Sequence, residues 1–156
     1  MENTKTNYGQ SVTGVVIRDG KVLLARHTYG GGKGMLIIPG GYVEYGETPE
    51  AALRREYREE TGIEVEPREI VGIRFNQHDW YVAFRADYVS GEARSDGDEN
   101  DLVVWMDIDE AMAREDVPDL TKKLIGCAVS PAAGFALLPY ESRNKKHDPA
   151  MLYGLK

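Results

Sequence analysis

The sequence predicts an α/β or α+β sandwich of helices on a mixed β-sheet, and three observations carry that reading. Runs of β-branched residues joined by an Asp-Gly turn open the chain, a well-capped helix interrupts the strands, and two shorter helical stretches follow the last strand. With 156 residues the chain has the length of one domain, read here as residues 1–156, and can bury a core without disulfides or a structural metal.

Element by element, "SVTGVVIRDGKVLLARH" supplies two strands, Val12 to Arg18 and Lys21 to Arg26, and Asp19-Gly20 between them suits the positive φ of a tight hairpin turn. The glycine-rich segment His27 to Gly34 follows as a loop, and "MLII", closed by Pro39, reads as a short, mostly buried strand. Thr48-Pro49-Glu50 starts a helix: a hydroxyl cap, a proline where the missing N–H costs nothing, and an acid at the positive end of the helix dipole. Gly62 stops it, so the helix spans Pro49 to Thr61. "REIVGIRFN" and "WYVAFRADYVSG" predict a second hairpin about His78-Asp79. The acidic "SDGDEND" is a loop, and "LVVWM" one more strand. Helical stretches around "IDEAMAREDV" and "PDLTKKLIGCAV" come next, the latter with Leu120, Leu124 and Ala128 on one stripe. The segment from Pro131 onward, with three prolines and mixed polarity, reads as an irregular tail.

Composition excludes some partners. A formal net charge of -7 gives a mean field that repels nucleic-acid phosphate and anionic lipid, so polymeric nucleic acid and membrane are not expected partners. A small phosphorylated substrate remains open, because a locally bound cation reverses the field it meets. Cys127 is the only cysteine and reads as a small buried hydrophobe; no internal disulfide or zinc cluster follows. The polar start "MENTKTNYGQ" has no apolar core of a signal peptide, and the expected location is cytoplasmic.

One stretch asks for more than a fold. In "GGYVEYGETPEAALRREYREETGI" the acids Glu56, Glu59 and Glu60 fall within one arc of a helix, beside the apolar pair Leu53 and Tyr57 that docks the helix on a sheet. Like charges so placed weaken a helix, and carboxylates at the edge of a buried contact must take up protons or be held by positive charge. Arg55 answers part of this, but one guanidinium cannot satisfy three acids. With oxygen ligands alone and no histidine or cysteine nearby, Mg2+ or Mn2+ is the natural counter-charge. Pro39-Gly40-Gly41, just upstream, lets the backbone approach a ligand closely.

These residues resemble the signature of the Nudix hydrolases: glycine, five residues, glutamate, seven residues, Arg-Glu, an aliphatic, any residue, Glu-Glu, any residue, glycine, an aliphatic. Gly41, Glu47, Arg55, Glu56, Glu59, Glu60, Gly62 and Ile63 fall in register. Tyr57 departs from it, standing where the family has an aliphatic, and Leu36 stands where the family often has an aromatic. The resemblance implies an α/β/α sandwich and hydrolysis of a nucleoside diphosphate linked to another group. It further implies Glu56, Glu60 and the Gly40 carbonyl as metal ligands, Glu59 as a further ligand or catalytic helper, and Glu47 orienting Arg55, which in turn orients the acids. Counting back from Trp105, it points to Glu99 as a further catalytic acid, with Asp96, Asp98 and Asp101 as alternatives. A homodimer is the commonest assembly for a soluble enzyme, although nothing in the sequence specifies it.

The substrate is less legible. Tyr29, on a loop, is the strongest candidate to stack on a base; Phe75, Trp80, Tyr81 and Trp105 lie in predicted strands and are expected to be mainly core. Arg26 is a candidate for phosphate, and Tyr81 lies where the dinucleoside polyphosphate group has a tyrosine. The proline that marks the ADP-ribose group falls at His78-Asp79 here, which weighs against that substrate. Nucleoside triphosphates and nucleotide sugars stay open, as does a non-catalytic nucleotide sensor.

Overall fold

A computed structural model describes residues 9–76, 78–139 and 152–154. Strands β1 (Gly9–Arg18) and β2 (Lys21–His27) form the first hairpin, and Asp19 and Gly20 both take positive φ, 51° and 76°, as the tight turn demands. A 3-10 turn (Gly30–Gly32), β3 (Leu36–Ile37) and β4 (Gly40–Tyr42) lead into α1 (Pro49–Thr61). The Thr48 hydroxyl accepts from the Ala51 amide at the start of α1, and Gly62 closes it in the left-handed region at φ 74°. Next come β5 (Glu64–Phe75), β6 (Asp79–Ser90), β7 (Asn100–Asp107), α2 (Ile108–Ala113) and α3 (Asp119–Val129).

Among the described residues seven strands make one sheet, in the order β3-β2-β1-β6-β5, with β4 paired to β1 and β7 to β2. Strands β1 and β6 run parallel while the other pairs are antiparallel, so the sheet is mixed. Alternation along β1 divides the core. Val12 and Val16 pack with Leu23, Phe84 and the α1 residues Leu53 and Tyr57 on one face; Val15 packs with Val22, Leu24, Ala83, Leu124 and Ile125 on the other. Helices thus cover both faces. Each fully buried side chain of this kind contributes on the order of 1.5–3 kcal/mol.

The second edge of β1 is shared. It pairs with β2 at Ile17 and Arg18 but with β4 at Ser11 to Thr13, and this change of partner brings β4 against α1. Gly40 makes it possible: a Cβ there would lie 2.2 Å from the Val12 carbonyl oxygen. The sequence does not announce β4 as a strand, because three residues with two glycines carry no periodicity.

Several expectations need correction. The segment after Pro131, read as irregular, contains β8 (Ala136–Leu138) paired antiparallel with β9 (Leu152–Gly154); residues 140–151 and 155–156 of that tail, with residues 1–8 and 77, lie outside the described residues. The Tyr153 ring packs edge-on against Phe84 at 5.5 Å, which ties β9 to the core. Helix α3 buries Thr121, Leu124, Ile125 and Ala128, so Leu120 and Cys127 fall off the buried stripe and are exposed. Phe75 and Trp80 are also exposed; paired across the β5–β6 hairpin, they pack edge to face at 5.2 Å on each other. Among the described residues no helix is long and apolar enough to cross a membrane.

Candidate active site

Helix α1 docks through Leu53 and Tyr57, and that fixes where its acids point. Both side chains are fully buried, and the Tyr57 hydroxyl donates to the Gly14 carbonyl of β1. The neighbouring face of the helix is then turned toward β4 and the loop before β7. There the carboxylates of Glu56, Glu60 and Glu99 place one oxygen each within 4.8 Å of one another. Gly41 allows the approach of Glu56: a Cβ at residue 41 would sit 2.5 Å from the Glu56 carboxyl carbon.

Glu99 reaches this point because its loop is tied down. The Asp96 carboxylate accepts from the amides of Asp98 and Asn100, and the Asn100 side chain donates 2.9 Å to the Glu60 carbonyl oxygen. Thr28 bridges from the glycine-rich loop, its hydroxyl donating to the Asp98 carbonyl and its amide to the Glu99 carbonyl. Of the acids in this loop, Asp96 is thus engaged in shaping it and Asp101 pairs with Arg26 at 2.7 Å, while Glu99 faces the helix.

The electrostatics are strained. Glu60 is only 4% exposed, and its Oε2 has no hydrogen-bond partner among the described residues. Burial, a hydrogen bond with Glu56, and the charges of Glu56, Glu99 and Asp96 push its carboxyl up to about 9. Burial first, then the Glu56 charge, raises Glu99 as well. Arg55 meets part of the demand. Its guanidinium binds Glu47 through two bonds of 2.7 and 2.9 Å, Glu56 at 2.9 Å, Glu59 at 3.3 Å and the Tyr42 carbonyl at 3.1 Å. The hydrogen bond from Arg55 holds Glu47 below the usual carboxylate range. Glu47 therefore aims Arg55, and Arg55 holds Glu56 from one side.

A hard divalent cation fits this donor set. The ligand atoms are all oxygens, three carboxylates converge, and one buried oxygen lacks a donor among the described residues, which is the arrangement that magnesium or manganese satisfies and a solvated acidic surface does not need. Glu56, Glu60 and Glu99 would hold it, with the Gly40 backbone lining the same cavity of about 450 Å³. Glu59 lies on the rim of that cavity, 60% exposed and turned to Arg55, outside the converging set.

A second cavity, of about 320 Å³, shares Tyr29, Gly40, Gly41 and Tyr42 with the first. Tyr29 stacks on His27 at 5.6 Å, and Tyr81 forms part of the wall. Arg26 lines neither cavity; it pairs with Asp101 at 2.7 Å on the exposed side of the β2–β7 ladder. Sequence reasoning missed Arg74, Asp79, Ser11 and His27, which line the second cavity. Strand register was the available signal, since Arg74 and Ser11 both sit opposite Tyr81 on its two neighbouring strands.

Comparison with known proteins places the chain in a family. The NUDIX domain pattern matches residues 8–125. A MutT-like protein of Streptomyces ambofaciens is 40% identical over 107 residues, 67% of either chain. An ADP-ribose pyrophosphatase of Methanocaldococcus jannaschii is 33% identical over 94 residues, 56% of either chain. An NAD-capped RNA hydrolase, NudC, of Actinobacillus succinogenes is 39% identical over 110 residues, 63% of this chain and 40% of that one. The chain thus spans about half the length of the last two relatives. In fold it is similar to the crystal structure of a MutT NUDIX hydrolase from Burkholderia pseudomallei, with a TM-score of 0.69 and 24% identity over 78% of this chain and 98% of the other.

The chain belongs to the Nudix hydrolase family. That class is one of pyrophosphohydrolases, and its fold, a mixed sheet between helices, is the one described above.

Proposed function

We propose that the protein is a divalent-metal-dependent pyrophosphohydrolase of small nucleotides, cleaving the anhydride of a nucleoside diphosphate linked to another group. The observation that carries this reading is the convergence of Glu56, Glu60 and Glu99 beside an open cavity, with a buried Glu60 oxygen that has no donor among the described residues. Magnesium or manganese bound there would offset the charge of a diphosphate and acidify a water. The side chains do the remaining work. Arg55, fixed by Glu47, keeps Glu56 in place. Glu99 or Glu59, both lining the cavity, accepts the proton of a water attacking phosphorus in line, and the bridging P–O bond breaks to leave two phosphate products.

Small substrates suit the net charge of -7 better than a polymer does. ADP-ribose, nucleotide sugars, dinucleoside polyphosphates and nucleoside triphosphates are the candidates, and the relatives give reason to test an NAD-capped RNA beside them. A cytoplasmic setting, in keeping with a lone cysteine, belongs to the same proposal.

The test incubates the purified protein with magnesium and that panel and follows release of nucleoside monophosphate. Turnover of at least one member, falling by two or more orders of magnitude in Glu56→Gln, is expected. A flat panel accompanied by tight, metal-independent nucleotide binding would instead make the protein a sensor built on the same fold.

A further inference from the structure

Beside the acid cluster, the second cavity has an apolar wall and a polar end. Ile37, Leu120, Leu124 and Tyr81 contribute the wall, and the stacked His27 and Tyr29 rings stand where it meets the first cavity. At the polar end Asp79 accepts from Ser11 at 2.6 Å through one oxygen and from the Arg74 guanidinium at 2.5 Å through the other. The array comes from three neighbouring strands, β1, β5 and β6. Arg74 lies over the Tyr81 ring, 5.2 Å from its centre, and among the described residues its buried Nε–H has no hydrogen-bond partner.

We propose that Arg74 and Asp79, aligned by Ser11, read the hydrogen-bonding edge of the substrate's nucleobase. This rests on the hydrolase reading for the placement of the diphosphate: the two cavities share Tyr29, Gly40, Gly41 and Tyr42, so a diphosphate at the acids delivers its nucleoside end to the second cavity. The chemistry favours a base over a sugar. Aromatic and apolar walls suit a flat ring, and a guanidinium beside a carboxylate presents donors next to acceptors, as base edges do.

The pair also discriminates. An ionised carboxylate only accepts and a guanidinium only donates, so each demands a fixed partner. A purine tethered through its phosphate presents the same two places whichever base it carries. Guanine and hypoxanthine put an acceptor at position 6 and a donor at position 1; adenine reverses the order. One class then satisfies both residues, and the other leaves a partly buried charged group unpaired, a mismatch expected to cost about tenfold or more in affinity.

The experiment is calorimetric titration of the protein, with magnesium present, by GMP, IMP and AMP. These carry no anhydride, so the result does not depend on turnover. Wild-type protein should separate AMP from GMP and IMP by about tenfold or more, with IMP grouping with GMP. Asp79→Asn, which exchanges an acceptor for a mixed donor and acceptor, should narrow or invert the ratio; Arg74→Met, which keeps the packing on Tyr81, should weaken the preferred class more than the other. Where a nucleotide is turned over, the loss should fall on KM more than on kcat, and circular dichroism checks that each variant keeps its fold. Equal affinities for the three monophosphates in wild type, or an unchanged ratio in folded Asp79→Asn and Arg74→Met, would overturn the inference and leave the hydrolase reading standing. Absence of hydrolysis across the panel above would instead strike the hydrolase reading while base selectivity could still be measured.

Discussion

Glu60 concentrates the logic of the site in one side chain. It is buried, shares a hydrogen bond with Glu56, and is raised from 4.5 to about 9 because its charged form is poorly solvated and faces other acids. A carboxyl whose folded value is raised adds stability below its unfolded value, and that stability is lost as pH climbs toward the folded one. The metal-free protein should therefore lose thermal stability progressively between about pH 4.5 and 9. Differential scanning fluorimetry in EDTA checks this: the midpoint should fall from pH 5 to pH 8 by more in wild type than in Glu60→Gln, and magnesium should restore it at pH 8 in wild type alone. Equal pH profiles for the two proteins would mean that Glu60 does not carry the strain assigned to it.

At the scale of the element, α1 joins fold and chemistry. Its apolar side is set by Leu53 and Tyr57, and the same rotation that buries them turns Glu56 and Glu60 toward β4. Tyr57 stands where the family has an aliphatic, and its hydroxyl gives α1 a polar tether to β1 that an aliphatic cannot supply. Gly14 leaves room beside it, since a Cβ there would lie 2.8 Å from a Leu53 methyl. Tyr57→Phe should cost about 1 kcal/mol in urea unfolding by removing that hydrogen bond. Because the hydroxyl fixes how α1 sits, it should also lower magnesium affinity; a variant as stable as wild type would show that shape alone seats the helix.

For the whole molecule, what could be read from the sequence followed the range of the interactions. Helix α1 and its acid arc were legible because cap, proline, glycine and acid spacing all lie within one short segment. The first hairpin was legible through Asp19-Gly20. Contacts between distant segments were not. Counting back from Trp105 pointed to Glu99 with Asp96, Asp98 and Asp101 as alternatives, and what the sequence could not show is that Glu99 converges with Glu56 and Glu60 while hydrogen bonds occupy Asp96 and an ion pair occupies Asp101. The Arg26 pair with Asp101 was not legible because that partner lies 75 residues away, and Arg74, Asp79 and Ser11 stayed hidden because three strands must be in register before they meet. Phe75 and Trp80 broke the expectation that strand aromatics face the core by packing on each other.

All of this converges on the three carboxylates that close the distance between α1 and the loop before β7. The most direct measurement is anomalous diffraction from crystals equilibrated with manganese. A peak bonded to carboxylate oxygens of Glu56 and Glu60, and lost in Glu60→Gln, is the predicted result. Saturating manganese that leaves no peak there, with the carboxylates still clustered, would contradict the account.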